Sequence, residues 1–199
     1  MARTKDPGAQ DRISQAVWEV LGEHGPQGLT LRAVADRAGC TTGLVLHRFP
    51  DKRALLLHAR DLLHGRTAER TNELEAAAAT PTSALRAVLE QALSMSAIAR
   101  QESRVWLGYL AAALDDDVLA ERHRTGHRVF VERTRRLVGT IRPELGPDEV
   151  VATSTIVVSL VEGLNTLSTA DAERYDASAQ RAALDRLLGV LGLDGTMVA

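Results

Sequence analysis

The segment AGCTTGLVLHRFPDK, residues 38–52, carries side chains suited to binding a polyanion. Thr41 and Thr42 provide hydroxyl groups that can donate hydrogen bonds to phosphate oxygens or meet base edges. Gly43 lacks a side chain and therefore allows close approach to the backbone. The same residue types also occur on many ordinary surface helices, so spacing alone leaves both interpretations open. The candidate DNA-binding residues are Arg32, Thr41, Thr42, Gly43, Leu44, Leu46, His47, Arg48 and Lys52.

Short helices must position this segment, and the residues before it predict two of them. Apolar residues at helical spacing predict an amphipathic helix over Asp11–His24, which Gly25 and Pro26 end. Thr30 is a suitable N-cap for a second helix over Leu31–Ala38.

A glycine turn separates the second helix from a third. Gly39 can adopt a positive φ angle, and Thr41 can cap a helix over Thr42–Phe49. Val45 and Phe49 lie four residues apart, so both would pack inward and leave the opposite face exposed. Two short helices joined in this way predict a helix-turn-helix, whose second helix can enter a major groove.

The rest of the chain also reads as helical, because no segment sustains a period of two. We predict an all-α protein of about nine helices, with a helix-turn-helix domain over residues 1–55 and a helical ligand-sensing and dimerisation domain over residues 56–199. After a long helix from Asp51 to about Ala79, the predicted helices are Pro81–Arg100, Glu102–Leu114, Asp117–Ile141, Glu149–Thr169 and Ala177–Leu191.

Composition excludes several classes of protein. With 199 residues, 45% of them hydrophobic, the chain can bury a core without disulfides, and its single cysteine, Cys40, excludes an intramolecular one. The lone cysteine fits a reducing cytosol. Because the sequence has no run of about 18 apolar residues, we expect no contact with a membrane. The first 55 residues hold eight Lys and Arg against six Asp and Glu, whereas the remainder holds 16 against 20. This mild basic excess is compatible with DNA binding at the N-terminal end.

Motifs for catalysis or for metal binding are lacking. The sequence has no nucleophile elbow, no dinucleotide fingerprint, no P-loop and no cysteine-histidine cluster suited to zinc. We therefore expect no enzyme activity, no catalytic residue, no metal site and no cofactor.

The run RISQAVWEVLGEHGPQGLTLRAVADRAGCTTGLVLHRFPDKRALL, residues 12–56, resembles the DNA-binding domain of TetR-family repressors. The resemblance implies a homodimeric transcriptional repressor with a helical regulatory domain, which binds double-stranded DNA and responds to a small molecule. Its signature positions here are Gly25, Leu29, Thr30, Ala35, Ala38, Gly39, Thr41, Gly43, Phe49, Lys52 and Leu55.

One position departs from that family pattern. Leu46 stands three residues before Phe49, where the family usually has a tyrosine whose hydroxyl binds phosphate. Leucine cannot make that contact, so either affinity is lower or Leu46 touches a thymine methyl group. Leu46 could equally serve only to shield the side of the helix.

The last two predicted helices suggest how two copies would associate. Glu149–Thr169 is apolar over most of its circumference, and with Ala177–Leu191 it could form half of a four-helix bundle across a two-fold axis. The alternative is that this helix lies at the centre of the monomer. The predicted dimer-interface residues are Val157, Val161, Leu164, Leu184 and Leu188.

The middle of the chain carries candidates for a ligand pocket, which could instead simply fill the core. They are Met95, Ile98, Trp106, Tyr109, Leu110, His127, Phe130 and Asn165. The segments over residues 106–138 and 159–164 loosely resemble the regulatory domain of BetI-type members, which supports the fold. With few aromatic residues available for an ammonium cage, the composition favours a small hydrophobic effector.

Together these observations predict a ligand-responsive repressor that binds a palindromic operator as a dimer and is released by a small hydrophobic effector. The alternative hypothesis is a helical protein-interaction module that has lost operator binding, for which Leu46 is the main argument.

Overall fold

Nine α-helices and no strand make up residues 8–195, which are the residues that the computed structural model describes. The all-α prediction is confirmed. The helices are α1 Ala9–Gly28, α2 Leu31–Ala38, α3 Thr42–Arg48, α4 Lys52–Ala77, α5 Pro81–Ala92, α6 Ala97–Ala113, α7 Asp117–Ile141, α8 Pro147–Ala170 and α9 Ala177–Val190.

The chain divides into two compact units, each with its own apolar core. Unit 1 contains the described residues up to Gly65 together with Arg104–His123. Unit 2 contains Arg66–Ser103 and the described residues from Arg124 onward. The core of unit 1 includes Ile13, Val17, Leu21, Val34, Val45, Phe49, Leu55, Val105, Tyr109 and Leu119. The core of unit 2 includes Leu85, Leu89, Leu137, Val157, Val161, Leu164, Leu184 and Leu188.

The first helix is interrupted where the sequence predicts its end. Gly25 has φ 65° and ψ −174°, which is not helical geometry, and Pro26 follows it. One further turn extends to Gly28. The N–H of Leu29, the next residue, donates a hydrogen bond to the carbonyl of Gly25. The helix is therefore irregular from Gly25 onward, because glycine tolerates a positive φ that other residues avoid.

The predicted helix Pro81–Arg100 is wrong, because the chain breaks after Ala92. Ser94 lies in this break, and its backbone N–H donates to Gln180 Oε1 at 3.1 Å. Ser96 then caps α6 by accepting a hydrogen bond from the N–H of Ala99 at 3.1 Å. The break is therefore set by a side chain 86 residues away along the sequence, together with a local cap.

The start of α7 is capped by Asp116, the residue before the predicted first residue of this helix. Asp116 Oδ1 accepts hydrogen bonds from the N–H groups of Val118 and Leu119 at 3.0 and 3.2 Å. Arg53 Nε donates to the other carboxylate oxygen of Asp116 at 2.6 Å, and these contacts hold the pKa of Asp116 below its usual value.

Candidate nucleic-acid interface

The helix-turn-helix is built from two capped helices within unit 1. The Thr30 hydroxyl caps α2 by accepting from the N–H of Ala33 at 3.1 Å, and the Thr41 hydroxyl caps α3 by accepting from the N–H of Leu44 at 3.3 Å. Gly39 lies between them in the left-handed region, at φ 62° and ψ 40°. These predicted caps and the predicted glycine turn are confirmed, and they fix where α3 begins.

One face of α3 is anchored and the other is exposed. Val45 is fully buried and Phe49 nearly so, and both belong to the core of unit 1. Leu44 is half-buried, as expected for the edge of the helix, and Leu46 keeps 49% of its surface exposed. The remaining predicted contact residues of this segment are all exposed, namely Thr41, Thr42, Gly43, His47 and Arg48.

Three cationic side chains near α3 are also exposed. The side chain of Arg32 on α2 is 88% exposed and makes a long ion pair of 3.9 Å with Asp36. Arg48 lies with its guanidinium carbon 5.8 Å from the centre of the Phe49 ring. Lys52 is exposed at the first position of α4. Each can reorient toward a phosphate at little cost, because weak surface pairs of this kind contribute little to stability.

An ion-pair cluster that the sequence analysis missed connects α1 to α2. Arg37 donates to Glu23 at 2.6 and 3.0 Å and to Glu19 at 2.9 Å. The hydrogen bonds from Arg37 lower the pKa of Glu23, and hydrogen bonds from Gln15 and Arg37 lower that of Glu19. The spacing of Glu19 and Glu23 on one face of α1 was the available signal, but nothing local identified Arg37 as their partner.

His58 is a second residue that the sequence analysis missed. Its Nε2 lies 2.8 Å from the Ser14 hydroxyl, and its ring centre lies 4.9 Å from that of Phe49. Burial, aided by the positive charge of Arg48 and opposed by Asp61, lowers the pKa of His58. A neutral imidazole therefore supports Phe49, the residue that ends α3.

We expect the stability of the protein to fall as the pH drops below about 6.5, the ordinary pKa of histidine. The unfolded chain then binds a proton at His58 that the folded chain resists, so acidification favours unfolding. Thermal unfolding between pH 8 and pH 5 measures this effect. The melting temperature of His58→Gln should depend less steeply on pH; an unchanged slope would contradict the assignment. His64, whose pKa burial also lowers, should leave a residual slope.

The predicted ligand-pocket residues are divided between the two units. Unit 1 contains Trp106, Tyr109 and Leu110, whereas unit 2 contains Met95, Ile98, His127, Phe130 and Asn165.

Several of these residues already have partners. Tyr109 is fully buried, its hydroxyl donates to the carbonyl of Leu119 at 2.7 Å, and burial raises its pKa to about 12. The Arg60 guanidinium carbon lies 5.0 Å from the Trp106 ring centre. Asn165 is buried and hydrogen-bonded, whereas Ile98 is 67% exposed. Their contact with an effector stays a prediction.

The predicted dimer-interface residues lie in the core of unit 2. Val157, Val161, Leu164, Leu184 and Leu188 are each no more than 7% exposed within the single chain. They pack within the chain's own core in this conformation, so their role in a dimer interface stays a prediction. The helix α8 is apolar on more than one face, as the sequence predicted, and the chain's own core covers this one.

The opposite face of α8 remains exposed and carries small or apolar side chains. By length and composition this helix could cross a membrane, and about a third of its most apolar window is buried inside the protein. A Cβ atom added at Gly163 would meet nothing within 4 Å. The residues at helical spacing on this face are Ala152, Ile156, Ser159, Gly163, Leu167 and Ala170, which we call the α8 stripe.

The capped helix-turn-helix on an otherwise helical chain defines a DNA-binding transcriptional regulator. Residues 13–59 match the family model of bacterial regulatory proteins of the tetR family, and residues 81–192 match that of the C-terminal domain of BetI-type transcriptional repressors. The chain belongs to the TetR family of repressor-type regulators, with a BetI-type C-terminal domain. This is a family of regulators rather than enzymes.

One relative by sequence agrees with this assignment, and two solved structures share the fold. The HTH-type transcriptional regulator BetI of Paraburkholderia phymatum is 28% identical over 138 residues, which are 69% of this chain and 67% of that protein. A transcriptional regulator from Rhodococcus sp. Rha1 superposes with a TM-score of 0.80 at 25% identity, over 91% of this chain and 94% of that one. A regulator from Saccharomonospora viridis, solved in complex with choline, has a TM-score of 0.84 at 16% identity, over 91% and 95%.

Proposed function

We propose that this protein represses transcription by binding a palindromic operator as a homodimer, and that a small-molecule effector releases it. The observation that carries the proposal is the exposed face of α3, held outward by Val45 and Phe49 beneath it. A polar helix face supported by a buried apolar anchor is what insertion into a major groove requires.

Each exposed residue of this region has a proposed role in the complex. The hydroxyls of Thr41 and Thr42 donate to phosphates or bases, and Gly43 permits close backbone approach. Leu46 and His47 reach base edges from the centre of the helix. Arg32, Arg48 and Lys52 bind flanking phosphates, with Leu44 at the edge of the contact.

The α8 stripe is the proposed dimer interface. One short helix reads only a few base pairs, whereas two copies held about 34–36 Å apart read both halves of a palindrome. The partner is a second copy, because a two-fold axis places small residues such as Gly163 and Ser159 against their equivalents and allows close helix packing. Exposed apolar side chains such as Ile156, which is 48% exposed, then become buried.

The effector need not resemble that of the choline-bound structural neighbour. A quaternary ammonium group is usually held by an aromatic cage, but the Trp106 ring already contacts Arg60. The hydrophobic effector predicted from composition gains no support from Met95 and Phe130, which pack against the core of unit 2. We place the regulator, with its operator, in the bacterial cytoplasm.

Binding to the DNA immediately upstream of the protein's own gene tests the proposal. We expect fluorescence anisotropy to detect saturable binding of one dimer, with affinity falling steeply as salt rises. If Arg32, Arg48 and Lys52 of both copies neutralise six phosphates, log K against log salt should have a slope of about −5. Folded dimer that shows no preference for this DNA at low salt would instead support the protein-interaction module, the alternative that Leu46 favours.

Replacement of Leu46 by alanine tests whether this residue reads sequence. Loss of an apolar contact of about 1 kcal/mol in each of the two half-sites should weaken operator binding roughly thirtyfold, and the loss should be concentrated at a thymine-containing position. Anisotropy with operator variants, each changed at one base pair, measures this preference. An unchanged profile across the variants would exclude Leu46 from sequence readout.

A further inference from the structure

A cavity of about 370 Å³ lies within unit 2, and the residues that line it do not include those predicted to bind an effector. It is formed by the turn between α5 and α6, the first turn of α6, the end of α8, the α8–α9 loop and the start of α9. Three polar residues that line it, Ser94, Ser168 and Gln180, are each no more than 1% exposed. A cavity of this size with buried polar groups is of the kind that holds a small ligand.

Hydrogen bonds fix these buried residues in place. Gln180 accepts from the N–H of Ser94 at 3.1 Å and donates from Nε2 to the carbonyl of Tyr175 at 2.8 Å. The Ser94 hydroxyl donates to Asn165 Oδ1 at 2.7 Å and lies 2.6 Å from the Ser103 hydroxyl. The cavity is therefore preorganised, and its lining connects α6, α8 and α9 through one network.

Opposite charges line the outer part of the cavity without pairing. Arg100 and Glu173 are exposed, and neither side chain has an ion-pair or hydrogen-bond partner among the described residues. Their charged atoms are therefore more than 4 Å apart, with the cavity beside both. Asp176 adds a second carboxylate, one oxygen of which caps α9 through the N–H of Ala179 at 2.8 Å. Tyr175 contributes an aromatic side chain to the lining.

We propose that this cavity binds a free α-amino acid, and that this amino acid is the effector of DNA binding. The role as effector rests on the proposed repressor function, whereas binding to the cavity does not. The carboxylate of the amino acid pairs with Arg100, whose guanidinium can donate two parallel hydrogen bonds. Its ammonium group pairs with Glu173 and lies near the Tyr175 ring.

This zwitterionic ligand differs from the hydrophobic effector predicted from composition. It matches the two separated charges, which a purely apolar molecule would leave unpaired at the cavity. Because the lining belongs to a network that includes the turn before α6, a ligand that prefers one arrangement of this turn shifts the population of that arrangement.

Thermal unfolding of the full chain in the presence of each of the twenty standard L-amino acids tests binding. We expect at least one to raise the melting temperature, and calorimetry with that amino acid gives its Kd. Its amide, which lacks the carboxylate, and its N-acetyl derivative, which lacks the ammonium group, should both bind at least tenfold more weakly. Failure of all twenty amino acids to bind would overturn the proposal.

Variants locate the site. Arg100→Gln and Glu173→Gln should each raise the Kd at least tenfold, which corresponds to about 1.4 kcal/mol. Arg174→Gln is the matched control, because Arg174 is exposed beside Glu173 but does not line the cavity. Equal affinity in all three variants would place the amino acid elsewhere and overturn the assignment of the cavity.

Operator binding in the presence of the amino acid tests the role as effector. A change in operator affinity that Arg100→Gln abolishes would support it, whereas amino-acid binding without such a change would overturn it. Operator binding without any amino-acid binding defeats only this inference. If the protein binds the amino acid but does not bind its operator, the proposed repressor function is contradicted instead.

Discussion

The variant Gly163→Glu is expected to be monomeric and to bind the operator at least a hundredfold more weakly than the native protein. Gly163 lies in the α8 stripe, where a Cβ atom meets nothing within 4 Å in the single chain. A glutamate therefore fits the folded monomer, and its higher helix propensity should even stabilise α8 by about 0.5 kcal/mol. In a dimer it would place two carboxylates against each other inside an apolar interface.

The loss of operator affinity follows from the loss of dimerisation. A palindrome is read by two recognition helices, and a monomer contributes only one to each binding event. A hundredfold loss corresponds to about 2.7 kcal/mol, which is modest for the removal of one half-site. Light scattering measures the first effect as a change from about 43 kDa to the chain mass of 21.5 kDa, and anisotropy measures the second.

Gly65→Glu provides the matched control. Gly65 is also a helical glycine at which a Cβ atom meets nothing within 4 Å, but it lies on α4, outside the α8 stripe. The two variants carry the same change in charge and in helix propensity. We expect Gly65→Glu to remain dimeric at micromolar concentration. A Gly163→Glu protein that stays dimeric would show that the partner binds elsewhere, including through α9 alone.

The elements that the sequence predicted well are those with local signals at both ends. The predicted bounds of α2 and α7, Leu31–Ala38 and Asp117–Ile141, are the bounds observed. For α2 the reason is visible, because Thr30 caps its start and Gly39 ends it in the left-handed region. The exposed face of α3 was predictable for a similar reason, since the spacing of Val45 and Phe49 identifies its apolar anchor.

The elements and contacts that the sequence did not predict depend on distant partners. The break after Ala92 is stabilised by Gln180 and Asn165, which no local pattern connects to Ser94. The sequence did not distinguish the two apolar faces of α8, because periodicity does not state which one the monomer covers. The polar cavity was missed for the same reason, since Arg100 and Glu173 come together only in the folded chain.

The second large effect is expected for Gly43→Glu, which should fold normally and lose at least a hundredfold in operator affinity. Gly43 is exposed on α3, and a Cβ atom there would approach only the Thr41 hydroxyl, at 4.0 Å. A carboxylate in the first turn of a helix also interacts favourably with its N–H groups, so stability should not fall.

The loss arises only in the complex. A glutamate at this position occupies the space that a phosphate or base edge needs, and its charge repels the DNA backbone. Gly43→Ala adds a methyl group without a charge, so it should reduce operator affinity by a smaller factor. Gly65→Glu again serves as the control for charge and helix propensity, and its operator affinity should stay within threefold of the native value.

Anisotropy with the operator, circular dichroism and light scattering on the same samples separate the possibilities. The proposal requires native helicity and a native dimer together with the loss of DNA binding. Operator affinity within threefold of the native value in Gly43→Glu would exclude the start of α3 from the interface. The exposed face of α3 would then lose its assignment as the DNA-reading surface, whatever the oligomeric state of the protein.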